Sequence, residues 1–363
     1  MTDAAIPTPF IAIDAGIVQQ NIESLAAYAR ANDLRLRPHI KTHKSLHLAA
    51  LQLEAGAIGL TVAKPGEAEV MARLAGDILM AYPAVQPERC ALLAHLALST
   101  TIRVGVDSLY AAGVLSGAAS AVGSTIGILV DLDVGLGRTG VQTPGAALTL
   151  AQEVDALPGL RLDGIMFYPG HIKSPADTQP AILSGIDALL GETIALWSRQ
   201  GLEAKIVSGG STPTAYQSHY IHHATEIRPG TYIFNDMNTV RGGYVSLDEC
   251  AAHIVCTVVS DAVPGQVVVD AGSKTLTSDL CGPAPDSGYG YVIEYPEARI
   301  EKLTEEHGQI DLTRYFSRPK VGDRLTIIPN HICPCINLQD RVYWARAGEP
   351  VEALEVDARG RVF

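Results

Sequence analysis

At 363 residues the chain is long enough for one large domain and a smaller one. Its net charge of −12 is spread along the whole length, which argues against nucleic acid or an anionic membrane surface as a partner. Met1 to Pro9 show neither a basic nor an apolar leader segment, no apolar run of about 18 residues is apparent, and the six cysteines read as reduced thiols, so a cytoplasmic protein is expected.

The first element is an amphipathic stretch over 14–31, read as a helix with Asp14 at its N-cap. Short β-like runs follow at 34–39, 57–62, 77–81, 101–104, 125–131, 160–167, 204–208 and 224–227. Between them lie helical patterns such as 45–54, 66–74, 87–98, 108–122 and 176–199. Strands separated by helices imply parallel βαβ units, and eight in a row fit a closed (β/α)8 barrel better than a doubly wound sheet. After Phe234 the beat changes. Runs at 253–260, 266–270, 289–292 and 324–328 are separated by Pro, Gly and Asp turns, with no helix of length. The chain therefore reads as α/β: a barrel over 14–232, then a C-terminal all-β domain over 233–363.

Catalytic groups of such barrels stand where strands end, and five of these ends are unusual. The first strand runs into Arg37-Pro38-His39-Ile40-Lys41-Thr42-His43-Lys44. Taken alone this could be a solvated basic loop. A lysine facing a barrel mouth can instead have its pKa lowered by burial and cationic neighbours, and so act as an amine nucleophile. Lys41 comes first after the strand and is the candidate, with Lys44 opening the next helix. The fifth strand leads to Asp131-Leu132-Asp133-Val134-Gly135-Leu136-Gly137-Arg138-Thr139-Gly140, where glycines let backbone approach a ligand and Arg138 could hold an oxygen anion. A flexible turn with a surface arginine is the plainer reading. The sixth leads to Tyr168-Pro169-Gly170-His171, and His171 is a catalyst or a structural residue.

The seventh strand leads to Ser208-Gly209-Gly210-Ser211-Thr212-Pro213-Thr214, small residues before a helix-starting pattern. Such a run makes a nest of backbone N–H groups that suits a phosphate. The eighth leads to a second turn with free amides, Arg228-Pro229-Gly230-Thr231-Tyr232. Far downstream lies Pro329-Asn330-His331-Ile332-Cys333-Pro334-Cys335. Read as a strand, residues i and i+2 share a face, so His331 and Cys333 converge. Two ligands are too few for a closed structural zinc site but suit an open one completed by water and substrate. Cys335 reads as a packed core thiol.

In chain order these segments resemble the alanine-racemase-like, fold-type III pyridoxal-phosphate enzymes, and more narrowly the D-threonine aldolase and D-serine dehydratase family. The similarity also takes in Thr8-Pro9, Asp77-Ile78-Leu79-Met80-Ala81-Tyr82-Pro83 and Glu226-Ile227. The resemblance implies that Lys41 carries the cofactor as a Schiff base and that Arg138 contacts its ring oxygen. It puts Gly209, Gly210, Ser211, Gly230 and Thr231 around the phosphate, with Ser208 and Tyr168 beside the cofactor and Arg228 or Tyr232 near the pyridine nitrogen. It makes His331 and Cys333 ligands of a divalent metal. It adds an N-terminal strand over 6–13 to the β-domain and pairs two chains head to tail as a homodimer.

The thiolate of Cys333 favours Zn²⁺, whereas the aspartate common at that place in D-threonine aldolases suits Mn²⁺ or Mg²⁺. The substrate implied is a small D-β-hydroxy amino acid. If His171 or metal-bound water takes the hydroxyl proton, Cα–Cβ cleaves to glycine and an aldehyde. If Lys41 takes the α-proton, hydroxide leaves and a 2-oxo acid and ammonia result. Aldol cleavage is the expectation and dehydration the alternative. An amino-acid racemase would have no use for the metal pair, and a non-catalytic cofactor carrier no use for the β-domain.

Overall fold

The computed structural model describes residues 5–363; Met1 to Ala4, part of the stretch read for a leader, lie outside the described residues. In chain order the first elements are β1 (Phe10–Asp14), α1 (Ala15–Ala31), β2 (Arg35–Leu36), α2 (Leu46–Glu54), β3 (Leu60–Val62), α3 (Pro65–Met71) and β4 (Asp77–Met80). Next come α4 (Pro87–Leu96), β5 (Thr101–Val106), α5 (Leu109–Val122), β6 (Ile126–Asp131), α6 (Pro144–Asp155), β7 (Leu160–Met166), α7 (Gln179–Arg199), β8 (Ile206–Gly209) and β9 (Glu226–Ile227). The remainder is α8 (Met237–Arg241), β10 (Ala252–Ser260), β11 (Gln266–Val269), α9 (Ser273–Leu276), β12 (Gly290–Val292), β13 (Arg299–Leu303) and β14 (Gly308–Asp311). The chain closes with β15 (Arg324–Pro329), α10 (Ile332–Asn337), β16 (Arg341–Ala345) and β17 (Glu352–Glu355).

Contacts divide the chain into two units, and each takes more than one stretch of sequence. The barrel unit comprises Glu23–Lys41, Leu46–Gly230 and Gly360–Phe363; the β-unit comprises the N-terminal residues through Ile22, Thr42–Ser45 and Thr231–Arg359. This is finer than a division into 14–232 and 233–363, and hydrogen bonds explain it. Asn21 donates to the carbonyls of Ile233 and Glu249, and the Lys44 carbonyl accepts from Ala358 N–H, all within the β-unit. In the barrel unit the Phe363 carbonyl accepts from Gly66 N–H.

Within the barrel unit the eight parallel strands follow the order β2-β9-β8-β7-β6-β5-β4-β3. The sheet closes through a bridge between His39 and Thr61, where Thr61 N–H donates to Pro38 O at 2.9 Å. All six residues of β6 are buried, as expected of a strand covered on both faces. The capping chemistry is local. Asp14 accepts from Ile17 N–H, as the sequence suggests, and Ser108 and Thr143 cap α5 and α6. By length and composition the helix over Ala176–Arg199 could cross a membrane, which corrects the reading that the chain has no such run. In this fold its Leu183, Ile186, Leu190 and Trp197 are buried.

The lower half of the barrel is held by charge. Arg37 Nε donates to Glu226 at 2.9 Å and its Nη1 to Asp77 at 2.6 Å. Arg103 joins Asp77 (2.5 Å) to Asp163 (2.8 Å), and Arg161 caps Asp163 at 2.6 Å. Glycines make room for this chain of ions. A Cβ on Gly127 would stand 2.2 Å from an Asp163 oxygen, and one on Gly59 would stand 2.5 Å from the Arg37 guanidinium.

In the β-unit the strand path is β13-β14-β11-β10-β1-β16-β17, with β15 pairing β10 and β12. β1 lies antiparallel to β10 (Phe10↔Val255) and parallel to β16 (Ala12↔Tyr343). Helices α8, α9 and α10 are single turns or little more, and none of the six cysteines forms a disulfide.

Candidate active site

The C-terminal ends of the barrel strands surround a cavity of about 270 Å³. It is lined by His39, Lys41, Ala63, Ala81, Tyr82, Pro83, Asp131, Arg138, Thr139, Met166, Tyr168 and Arg228. Lys41 reaches the rim because β2 ends at Leu36 and the chain tightens into a 3-10 turn over Ile40–Thr42. Gly105 opens the floor: a Cβ there would stand 2.3 Å from the Met166 methyl.

Arg228 is fixed deep in this wall. It is 5% exposed, and its Nη2 donates to Phe167 O at 2.8 Å, while its Nε is buried with no hydrogen-bond partner. Burial lowers its pKa to about 10, against the raising effect of Glu226, Asp131 and Tyr168, so it stays charged at neutral pH. A buried, charged N–H donor without an acceptor costs on the order of 1–3 kcal/mol, which an anionic or basic ligand atom would recover. Arg138 lies over the Tyr168 ring, 4.9 Å from its centroid, and Lys64 lies over Tyr82 at 3.6 Å, so two cation–π pairs stand at this end of the barrel.

Asp131 ends β6 and faces the same cavity. Burial raises its pKa to about 6, with Thr139, Arg228 and Arg138 pulling it down and Asp107 pushing it further up.

The remaining sequence candidates of the barrel unit lie outside the lining. Gly209, Gly210, Ser211 and Gly230 form buried turns after β8 and β9; Gly210 takes φ +92°, which favours glycine, and Arg228 N–H donates to Gly209 O. The Ser208 hydroxyl is committed to Glu226 at 2.7 Å, so it serves the ionic lower half. His171 is exposed and packs against Gly135, whose Cβ would stand 3.2 Å from its Nε2; it does not line the cavity. The helix expected after the Ser208 loop is a 3-10 turn over Ala215–Tyr220.

His331, Cys333, Thr231 and Tyr232 belong to the β-unit. His331 and Cys333 do not share a strand, which corrects the i, i+2 argument. β15 stops at Pro329, and His331 is the extended N-cap of α10. Two causes act here: Pro334 cannot donate to a ladder but suits a first helical turn, and the buried Asp236 carboxylate accepts from Ile332 N–H at 3.1 Å. The pair meets all the same through the cap. The Cys333 thiol lies 3.2 Å from the Thr42 hydroxyl and 3.5 Å from that of Thr231, while His331 Nδ1 bonds Asp279 at 3.0 Å.

The His331 pKa is raised to about 9: burial lowers it, but the hydrogen bond and charge of Cys333, with Asp236 and Asp279, outweigh that. A field that favours a proton on the ring also favours a metal cation. Among the described residues no third His, Cys, Asp or Glu completes the cluster, so it can offer an open two-ligand site.

Sequence reasoning gave His39, Asp131, Thr139 and Tyr82 no role of their own, although each lies in a segment it singled out. Asp131 carried a signal: a carboxylate ending an otherwise apolar strand just before the glycine loop.

The family described as alanine racemase, N-terminal domain, matches residues 13–238, and a putative serine dehydratase domain matches residues 251–345. The chain is 30% identical to a D-threonine aldolase of Arthrobacter sp, covering 98% of this chain and 94% of that one. It superposes on the crystal structure of a D-threonine aldolase from Filomicrobium marinum with a TM-score of 0.91 at 32% identity, covering 99% of this chain and 97% of the other. The D-threo-3-hydroxyaspartate dehydratase of Delftia sp. HT23 superposes with a TM-score of 0.89 at 28% identity over 97% of each chain. Solved forms of that dehydratase include a histidine-to-alanine variant and, two positions further along, a cysteine-to-alanine variant in the metal-free form. A match over well more than half of its length shows that this chain belongs to the alanine racemase N-terminal-domain family.

Proposed function

We propose that the chain is a pyridoxal-phosphate- and divalent-metal-dependent lyase of D-β-hydroxy amino acids, cleaving D-threonine-like substrates to glycine and an aldehyde. The observation that carries the reading is the cavity at the strand ends, where Lys41, Arg138 and the buried Arg228 with its unsatisfied Nε converge. The residues fit the cofactor: Lys41 offers the amine, Arg138 a cation for the ring oxygen, and Arg228 a donor for the pyridine nitrogen. Within the barrel unit the turns at 209–211 and Gly230 would hold the phosphate. Pyridoxal phosphate, when bound, supplies the electron sink that allows a bond at Cα to break.

The protein's own groups then choose the bond. Tyr82 and Tyr168 line the cavity, with Lys64 and Arg138 over their rings. His331 and Cys333 would hold a divalent metal that acts on the substrate hydroxyl as a Lewis acid. Asp279, by accepting from Nδ1–H, leaves Nε2 of His331 for the metal, the usual outer-shell arrangement. His171 lies outside the cavity lining, which counts against it as the general base.

Dehydration is the second reading, and one observation favours it. The His331–Cys333 spacing matches the two substituted positions of the Delftia dehydratase, and thiolate ligation points to Zn²⁺. The aldolase reading rests on the whole-chain likeness to two D-threonine aldolases. D-threonine separates the two: with metal present, cleavage yields glycine and acetaldehyde, whereas dehydration yields 2-oxobutanoate and ammonia. Ammonia without glycine would replace the aldolase by the dehydratase.

A further inference from the structure

Four of the six cysteines hold their thiols in one way. Cys90, Cys256, Cys281 and Cys335 donate S–H to the main-chain carbonyls of Ala84, Leu325, Met237 and His331, at 3.6, 3.5, 3.5 and 3.2 Å. A carbonyl only accepts, so it suits an S–H and would leave a thiolate without a donor. Cys333 is different. The partners on its sulfur include two hydroxyls, Thr42 Oγ1 at 3.2 Å and Thr231 Oγ1 at 3.5 Å. These come from two separate 3-10 turns, over Ile40–Thr42 and Thr231–Ile233, and Thr42 is fully buried. Thr42, Thr231, His331 and Cys333 all belong to the β-unit.

A hydroxyl can serve both states of a cysteine, because its hydrogen rotates and its oxygen accepts as well as donates. As a thiol, Cys333 gives its S–H to Thr42 Oγ1. When a divalent metal binds, the S–H bond breaks, the proton leaves to water and the sulfur electron pair goes to the metal. Both hydroxyls can then turn their hydrogens toward the anion, where a carbonyl would repel it. We propose that Thr42 and Thr231 are positioning residues of the metal site: their hydroxyls donate to the Cys333 thiolate and hold it as a ligand beside His331. The two ligands are then supported in complementary ways. The imidazole of His331 has an acceptor behind it, Asp279, and the thiolate has donors. The inference rests on the reading of His331 and Cys333 as metal ligands.

Full-length holoenzyme tests this as wild type, T42V, T231V and T42S, with C333A as the reference that lacks the ligand. Zn²⁺ Kd is measured at fixed pH by competition with a chelator of known affinity. Co²⁺ is then loaded in place of Zn²⁺, and its sulfur-to-metal charge-transfer band is read by magnetic circular dichroism, which separates the paramagnetic ion from the cofactor. T42V keeps the shape of Thr42 and loses its donor, so Zn²⁺ Kd weakens about tenfold, as loss of an outer-shell hydrogen bond does. The longer contact of Thr231 makes the loss in T231V smaller, about threefold. A thiolate relieved of a donor gives up charge more readily, so the band moves to longer wavelength in both variants. T42S restores both Kd and band. A packing role alone would leave the band where it is. Kd and band unchanged in T42V and T231V would overturn the proposal, and T231V supplies both readouts where T42V does not fold. If wild type shows no such band, or C333A keeps it, the metal reading of Cys333 fails first and the proposal with it.

Discussion

The two halves of the barrel treat charge in opposite ways. In the lower half three cations, Arg37, Arg103 and Arg161, meet three anions, Asp77, Asp163 and Glu226, and each finds a partner within 2.9 Å. At the strand ends the cavity is lined by one lysine, two arginines and a single carboxylate, and a buried guanidinium nitrogen there has no acceptor. Charge that is balanced internally fixes a scaffold. Charge left over is a demand on a ligand, and an anionic cofactor with an amino-acid carboxylate would meet it.

That comparison is open to attack at either end. The largest effect belongs to Lys41. K41A should lose the long-wavelength cofactor absorbance and lower turnover by at least ~10²-fold, while K44A, whose lysine is buried in the β-unit at φ +52°, keeps the absorbance. The reverse pattern would move the covalent site to Lys44.

Next in size is the scaffold itself. R37M leaves the buried Glu226 without its cation, while Asp77 keeps Arg103, and should cost about 3–5 kcal/mol of stability, read as a loss in the urea midpoint. R228M removes a charge that is itself incompletely satisfied, so it should change stability by no more than about 1 kcal/mol while weakening cofactor binding tenfold or more. Equal stability losses in the two variants would erase the distinction between the halves.

The metal-site prediction isolates the β-unit. Exhaustive chelation, or C333A, should abolish turnover yet leave the cofactor absorbance in place, because metal and cofactor use different residues. D279N should weaken Zn²⁺ binding by about 10–100-fold, as loss of a ligand's outer hydrogen bond does. Turnover that survives chelation would take His331 and Cys333 out of the mechanism.

The smallest effect is in pH. Asp131 ionises near 6 in the folded protein and at about 3.8 when unfolded. A raised folded pKa means its stabilising contribution is full below about pH 4 and is lost as pH rises through 6. Wild type should therefore lose up to about 3 kcal/mol relative to D131N between pH 4 and 7. A difference between the two that stays flat over that range would show that the carboxylate is not buried as described.

The barrel and its rim are legible in residue order alone. All eight strand runs of the first two-thirds appear, within a few residues, because short β-branched runs between helical repeats have few other solutions. Lys41, Arg138, Tyr168 and Arg228 were legible for the same reason: each follows a strand end, and strand ends converge in a barrel. Which groups complete the cavity depends on packing across the fold. Asp131 and Tyr82 sit at strand ends far apart in sequence and line one cavity only when the sheet closes. Glu226 finds Arg37 at a separation of 189 residues, which no local pattern records. His331 and Cys333 show the limit most clearly. Their spacing suggested a shared strand face, yet a helix cap brings them together, because a carboxylate 96 residues from Ile332 supplies the hydrogen bond that starts the helix. Periodicity reports the chain's local choices; the partner of a buried charge or an orphan N–H is set by packing across the fold.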